Sequence, residues 1–191
     1  MNKHIYYMVN AITAYRLIAA PILLLLITNN QLKTFSILLC ISFFTDAIDG
    51  YLARKYDVNS LLGAKLDSVA DDFTIAVAII GIIAFEPDFL WDQSIFVITL
   101  LILYILQLSI SLIKYHKMSS FHTYLAKVAA VLQAAFLILF FIIGPIYPLF
   151  YFMVLVTALD LLEEIVLAYL LPKWEANVKG LYWVLKRKYL G

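Results

Sequence analysis

Residues 33–85 read KTFSILLCISFFTDAIDGYLARKYDVNSLLGAKLDSVADDFTIAVAIIGIIAF. Two apolar runs, roughly 33–55 and 63–85, flank a short polar turn. At 1.5 Å per residue, each run is long enough to cross the roughly 30 Å hydrocarbon layer of a bilayer. Yet the first holds Asp46, Asp49 and Arg54, and the second holds Lys65, Asp67, Asp71 and Asp72. Charges inside a spanning helix are costly, so they mark function or specific pairing. Asp46, Asp49, Gly50 and Ala53 fall at i, i+3, i+4 and i+7, one helix face. Gly63, Asp67 and Asp71 are four apart, again one face. The short turn makes the two helices antiparallel neighbours. Asp46 precedes Arg54, and Asp71 follows Gly63, by about 12 Å of helix axis, while Asp49 and Asp67 lie about 6–8 Å from the same ends. The four carboxylates therefore fall at two matching depths near the turn.

Outward from this pair, four more apolar stretches appear, at roughly 9–28, 93–115, 121–143 and 146–171. The whole chain of 191 residues is 64% hydrophobic and 14% charged, against about a quarter charged in a soluble domain. A chain so apolar cannot cover itself in water. The fold class expected is an all-α integral membrane protein with six transmembrane helices, forming one domain over 1–191. The first stretch does not read as a signal peptide: Arg16 interrupts its centre, and no small-x-small cleavage site follows. Lys and Arg alternate between rich and poor loops. They are rich near Arg54, Lys55 and Lys65, near Lys114 and Lys117, and in the tail, and absent from 86–92 and from Gly144-Pro145. The positive-inside rule then puts both termini and the turns near 56–62 and Lys117 in the cytoplasm. The tail, about 172–191, mixes Trp174, Leu181, Trp183, Val184 and Leu185 with lysines and reads as an interfacial helix. Residues 2–8 are a candidate for a second, shorter one. A net charge of +1 gives no reason to expect a nucleic-acid partner, and Cys40, the one cysteine, sits in an apolar run as a packing residue.

Four carboxylates this close repel one another and lose hydration. Either some are protonated or cations sit among them. Two divalent ions would balance four charges, and oxygen-only ligands favour Mg²⁺, Mn²⁺ or Ca²⁺ over zinc. Such a pair would also clamp a diphosphate during phosphoryl displacement. Gly50, Ala53 and Gly63 leave bare helix beside the acids, for a base or phosphate or for close helix packing. Arg54 offers a fork suited to phosphate.

The stretch 46–71 resembles the signature of the CDP-alcohol phosphatidyltransferase family, D-x2-D-G-x2-A-R-x8-G-x3-D-x3-D. Asp46, Asp49, Gly50, Ala53, Arg54, Gly63, Asp67 and Asp71 fill it without gap or substitution. The resemblance implies that Asp46, Asp49, Asp67 and Asp71 ligate two ions, Mg²⁺ or Mn²⁺. It implies that Asp71 is also the catalytic base, and that Gly50, Ala53, Arg54, Gly63 and Asp67 line the CDP-diphosphate site. The implied reaction transfers a phosphatidyl group from CDP-diacylglycerol to an alcohol, releasing CMP. It also implies a homodimer. One departure is visible: many members carry Lys after the last aspartate, where this chain has Asp72.

The first span carries Asn10, Thr13 and Arg16, similar to the N-x-x-T-x-x-R pattern of glycerophosphate- and cardiolipin-type members. The plainer reading is that Arg16 pairs with a buried acid. Residues 121–127, FHTYLAK, depart from the G-K-x-K-T stretch of glycerophosphate-type members. His122 there reads better as a hydrogen-bonded interfacial residue than as a catalytic group. Glycerol 3-phosphate is the favoured acceptor, with phosphatidylglycerol, serine or an inositol phosphate as alternatives. Asp160, Glu163 and Glu164 in the last span are expected to pair with Arg16, Lys65 or Lys127. Trp91, Trp174 and Trp183 lie near span ends, as in aromatic belts. A proton- or cation-coupled transporter is the competing function, disfavoured because the acids cluster in one leaflet and no inverted repeat is visible. A non-catalytic lipid-binding scaffold would not need the intact signature. The expected location is a bacterial inner (cytoplasmic) membrane, with the site facing the cytoplasm.

Overall fold

In the computed structural model, the described residues are 3–56, 61–117, 121–175 and 178–190, with the side chains of 3–7, 9, 10, 47, 49–54, 61–68, 71, 72 and 188–190 outside the description. Every regular element among them is a helix: α1 (Lys3–Thr28), α2 (Leu32–Tyr56), α3 (Leu61–Phe85), α4 (Pro87–Asp92), α5 (Ser94–Tyr115), α6 (Tyr124–Ile143), α7 (Tyr147–Leu170) and α8 (Leu181–Leu190). The six long helices fall on the six apolar runs of the sequence. Among the described residues, Ala11–Thr28, Ser94–Tyr115 and Tyr124–Ile143 are long and apolar enough to cross a membrane. α2, α3 and α7 are as long, at 25, 25 and 24 residues, but carry the internal charges. Two features differ from expectation. Residues from Lys3 onward continue into α1 rather than forming a separate interfacial segment. The loop 86–92 contains α4, opened by Pro87, whose fixed φ suits a first helical position, with Asp88 in the first turn.

The turns follow local chemistry. Asn30 takes φ 55° between α1 and α2, a left-handed conformation that Asn tolerates better than most residues. Thr123 caps α6 by accepting the Ala126 N–H at 3.0 Å. Gly144, at φ 94°, ends α6, and its N–H bonds the Phe140 carbonyl.

The chain forms two compact units. The first comprises Met1–Trp91 with Phe141–Ile143. There α1 packs on α2 and α3, and α2 on α3. Its packed centre includes Phe35, fully buried, whose ring lies 5.4 Å from that of Phe85 and 5.0 Å from that of Phe141. Gly81 makes room for it: a Cβ there would stand 2.6 Å from Phe35 Cζ and 3.1 Å from Phe141 Cζ. The Phe35 ring, held by its two aromatic neighbours, cannot retreat cheaply. We expect Gly81→Val to lower stability by about 1–3 kcal/mol, the usual cost of overpacking, read as a fall in detergent melting temperature. An unchanged melting temperature would show that the aromatic cluster gives way.

The second unit comprises Asp92–Phe140 with Gly144–Gly191. Here α5 packs on α7, and α7 on α8. The C-terminal carbonyls of a helix lack intrahelical donors, and α5 supplies them to α7. Lys114 Nζ donates to the Ala168 and Tyr169 carbonyls at 2.8 and 2.9 Å. Tyr115 donates its hydroxyl to Ala168 and Leu171 at 2.9 and 2.8 Å. The tail folds back on the same end. Val178 and Val184 join Phe121, Leu167, Ala168 and Leu171 in one buried cluster. The Trp183 ring lies 5.4 Å from that of Tyr124.

Candidate active site

The eight signature positions lie on the facing ends of two consecutive helices. α2 runs unbroken through Asp46, Asp49, Gly50, Ala53 and Arg54, and α3 through Gly63, Asp67 and Asp71. Helical backbone across both segments is what the i, i+3 and i, i+4 spacing needs to bring the carboxylates to one face of each helix. Of the eight, Asp46 has a described side chain. Those of Asp49, Gly50, Ala53, Arg54, Gly63, Asp67 and Asp71, and of Lys65 and Asp72, lie outside the described residues.

Asp46 is held from α1. Arg16 Nη1 donates to Asp46 Oδ1 at 2.6 Å. The Arg16 side chain is 1% exposed and that of Asp46 is 40% exposed. A buried guanidinium thus meets a carboxylate that still opens outward. Thr13, one turn before Arg16, is buried as well. The plainer sequence reading of Arg16, pairing with an acid, is what the structure has, and the acid belongs to the signature.

The donor chemistry suits a hard divalent cation. Asp46 contributes a partly open carboxylate, already met on one oxygen by Arg16, and the other three acids of the signature are oxygen donors of the same kind. Among the described residues, no three His, Cys, Asp or Glu side chains group as a metal site.

Two of the α7 acids have described partners within the second unit, while Lys65, one of the cations expected for them, lies outside the described side chains. Glu164 accepts from Gln107 Nε2 at 2.6 Å. Glu163 Oε1 accepts the Leu181 N–H at 2.8 Å, one of the donors a helix start leaves open, so a carboxylate caps α8 with the favourable dipole sign. Asp160 Oδ1 is buried without a hydrogen bond among the described residues. Lys127 stands over the Tyr124 ring at 5.4 Å. His122 takes φ 50° just before α6. Trp174 lies under Lys117 Nζ at 5.1 Å, while Trp91 is 77% exposed, free to meet an interface. Cys40 is half-buried in α2.

Gln107 and Ser111 were missed as structural residues by sequence reasoning. Both are buried in α5, and Ser111 donates to the Lys117 carbonyl at 3.0 Å. Gln133 Nε2 likewise donates to Thr157 Oγ1 at 3.0 Å between α6 and α7. The signal was available: polar side chains inside apolar spans seek one another.

Comparison with known proteins agrees with the signature. The family model described as CDP-alcohol phosphatidyltransferase matches residues 6–169. A cardiolipin synthase (CMP-forming)/mitochondrial hydrolase fusion protein of Schizosaccharomyces pombe is 35% identical over 71 residues, 37% of this chain and 12% of its own. A CDP-diacylglycerol–glycerol-3-phosphate 3-phosphatidyltransferase of Pseudomonas fluorescens is 36% identical over 85 residues, 43% of each chain. One of the same name from Rickettsia felis is 35% identical over 74 residues, 37% of this chain and 41% of its own. The matched stretch spans under half the length of each of these relatives. No solved structure matches the chain. Long apolar helices and a family match over both units make this an integral membrane protein. The chain belongs to the CDP-alcohol phosphatidyltransferase family.

Proposed function

We propose that the protein is a phospholipid-synthesising enzyme that moves the phosphatidyl group of CDP-diacylglycerol onto an alcohol and releases CMP. The observation that carries this is the gapless signature on α2 and α3 inside a family match over 6–169. In this reading Asp46, Asp49, Asp67 and Asp71 hold two divalent cations, Mg²⁺ or Mn²⁺. Bound there, the ions would neutralise the donor's diphosphate and stabilise the charge of the displacement. Gly50, Ala53 and Gly63 let the cytidine and diphosphate approach the helices closely, and Arg54 takes the phosphate of the departing CMP. The acceptor hydroxyl gives its proton to Asp71. Its oxygen bonds to the β-phosphorus, which bears diacylglycerol, and the bond from that phosphorus to the bridging oxygen of CMP breaks. Catalysis is then mostly positioning and electrostatics.

Glycerol 3-phosphate is the acceptor this reading favours, supported by the names of the Pseudomonas and Rickettsia relatives. Phosphatidylglycerol, serine and an inositol phosphate are the alternatives, the first in keeping with the name of the fission-yeast relative. The test is to supply purified protein with CDP-diacylglycerol, Mn²⁺ and each alcohol in turn, and to follow CMP. Release with glycerol 3-phosphate is the expected result. Release with none of the four would overturn the assignment.

The same reading makes 1–191 one catalytic domain, acting as a homodimer, with α1, α2, α3, α5, α6 and α7 as six spans. Their lengths of 20 to 26 residues support this. Both termini and the site face the cytoplasm of a bacterial inner membrane, which the Lys/Arg alternation supports. The tail with α8 lies at the interface, where Tyr182, at 67% exposed, and Lys186 suit a lipid boundary. A cysteine placed at Asn59 should react with an impermeant thiol reagent only from the cytoplasmic side, and one at Asp88 only from outside. The reverse pattern would invert the orientation.

A further inference from the structure

We propose that Arg16 is the resident counter-cation of the metal site. It holds Asp46 in the free enzyme, weakens the binding of bare divalent metal, and so ties firm metal binding to the arrival of the anionic donor. This rests on the reading of Asp46 as a metal ligand.

The geometry supplies the argument. Arg16 Nη1 lies 2.6 Å from Asp46 Oδ1, and the Arg16 side chain is 1% exposed. A guanidinium does not lose its proton at any accessible pH. Its positive charge is therefore a permanent part of the site, held from α1 rather than from the two helices that carry the signature. Arg16 acts on a bound metal in two opposed ways. It holds the Asp46 side chain in one orientation, which favours a ligand by removing rotamer freedom. It also sets a fixed positive charge within hydrogen-bond range of a carboxylate that would hold a divalent ion. Fixing one short side chain is a small effect, because Asp has few torsions to lose. Repulsion between a unit charge and a doubly charged ion at that range is larger, even at the dielectric of a partly wet protein site. The charge effect decides the sign, so Arg16 weakens the binding of bare metal.

The donor reverses the balance. Its diphosphate brings negative charge that offsets both Arg16 and the metal. Donor should therefore raise metal affinity, and by linkage metal should raise donor affinity by the same factor. Arg16 is thus a positioning and charge-setting residue, acting on substrate through Asp46. A merely structural role would predict something different: loss of Arg16 would lower stability equally with and without metal and leave metal affinity alone.

The test uses the full chain in nanodiscs. Mn²⁺ binding is read from the electron paramagnetic resonance signal of free Mn²⁺, with and without CDP-diacylglycerol, for wild type, Arg16→Lys and Arg16→Met. Melting is followed in chelator and in Mn²⁺. Arg16→Met should bind Mn²⁺ about tenfold more tightly than wild type without donor, and the enhancement by donor should shrink by a similar factor, within the usual range of coupling between sites. Arg16→Lys, which keeps the charge, should stay within a few-fold of wild type. In chelator Arg16→Met should melt below wild type, and its rise on adding Mn²⁺ should be the larger. If Arg16→Met does not fold, Arg16→Gln carries the same expectation. Unchanged or weaker Mn²⁺ binding by the neutral variant, with normal binding by wild type, overturns the proposal alone. Wild type that binds no Mn²⁺ even with donor overturns the metal reading, and the proposal with it.

Discussion

In chelator, CMP release by this protein should fall to background, and Mn²⁺ or Mg²⁺ should restore it. The expectation follows from charge. The four aspartates of the signature fall within residues 46–71, on two consecutive helices. Asp46 is already neutralised in part by Arg16 at 2.6 Å. A donor diphosphate bound as proposed would add further negative charge to the same place. Without divalent cations the site would have to hold that diphosphate against its own carboxylates, in surroundings where each unpaired charge is costly. One arginine per signature aspartate is not on offer: Arg16 and Arg54 are the arginines of the first 186 residues. The measurement is CMP release at saturating donor and acceptor in EDTA, then after adding back excess Mn²⁺, Mg²⁺ or Ca²⁺. Loss should exceed a hundredfold, the scale of removing a principal electrostatic contribution to phosphoryl transfer. Full turnover in EDTA would remove the four-aspartate metal site from the mechanism.

Much of the architecture is legible because long apolar runs leave few alternatives to a helix. Apolar runs of about 20 residues or more, too long for ordinary strands, read as helices, and α1, α2, α3, α5, α6 and α7 fall on them. Their ends are marked by Asn29-Asn30 and Gly144-Pro145, whose backbone preferences break helices. The signature was legible for the same reason: acids are conspicuous in apolar helices. Pairing was not. A sequence states that Arg16, Asp160, Glu163 and Glu164 need partners, but any opposite charge or amide at a similar depth will serve. The choice of Asp46 for Arg16, Gln107 for Glu164 and the Leu181 N–H for Glu163 comes from which helices pack together. The α8 cap is especially hard to foresee, since its donor is a backbone group of the tail. Gln107 does not stand out in the sequence because a neutral amide barely interrupts the apolar run of α5. The short α4 lies in a loop, where local propensity rather than membrane length decides.

Asp71→Asn should keep donor and metal bound while turnover falls by about 10² to 10⁴, the usual contribution of a positioned general base. The substitution preserves size and one oxygen, and removes the ability to take a proton. Asp49→Asn should behave differently, because its proposed part is ligation alone: metal and donor affinity should weaken first, and turnover should recover in part at high Mn²⁺. Affinity by itself does not identify the base, since Asp71 is also a proposed ligand and its loss should cost some binding. The discriminating quantity is the ratio of the two effects in each variant. Binding is followed by the rise in melting temperature with CDP-diacylglycerol, and turnover by CMP release at saturating Mn²⁺ and donor. For Asp71→Asn the turnover loss should far exceed the affinity loss; for Asp49→Asn the order should reverse. If Asp71→Asn turns over within a few-fold of wild type, Asp71 is not the base. Asp67, one helical turn earlier on α3, would then be the carboxylate to substitute next, because four-residue spacing places it on the same face.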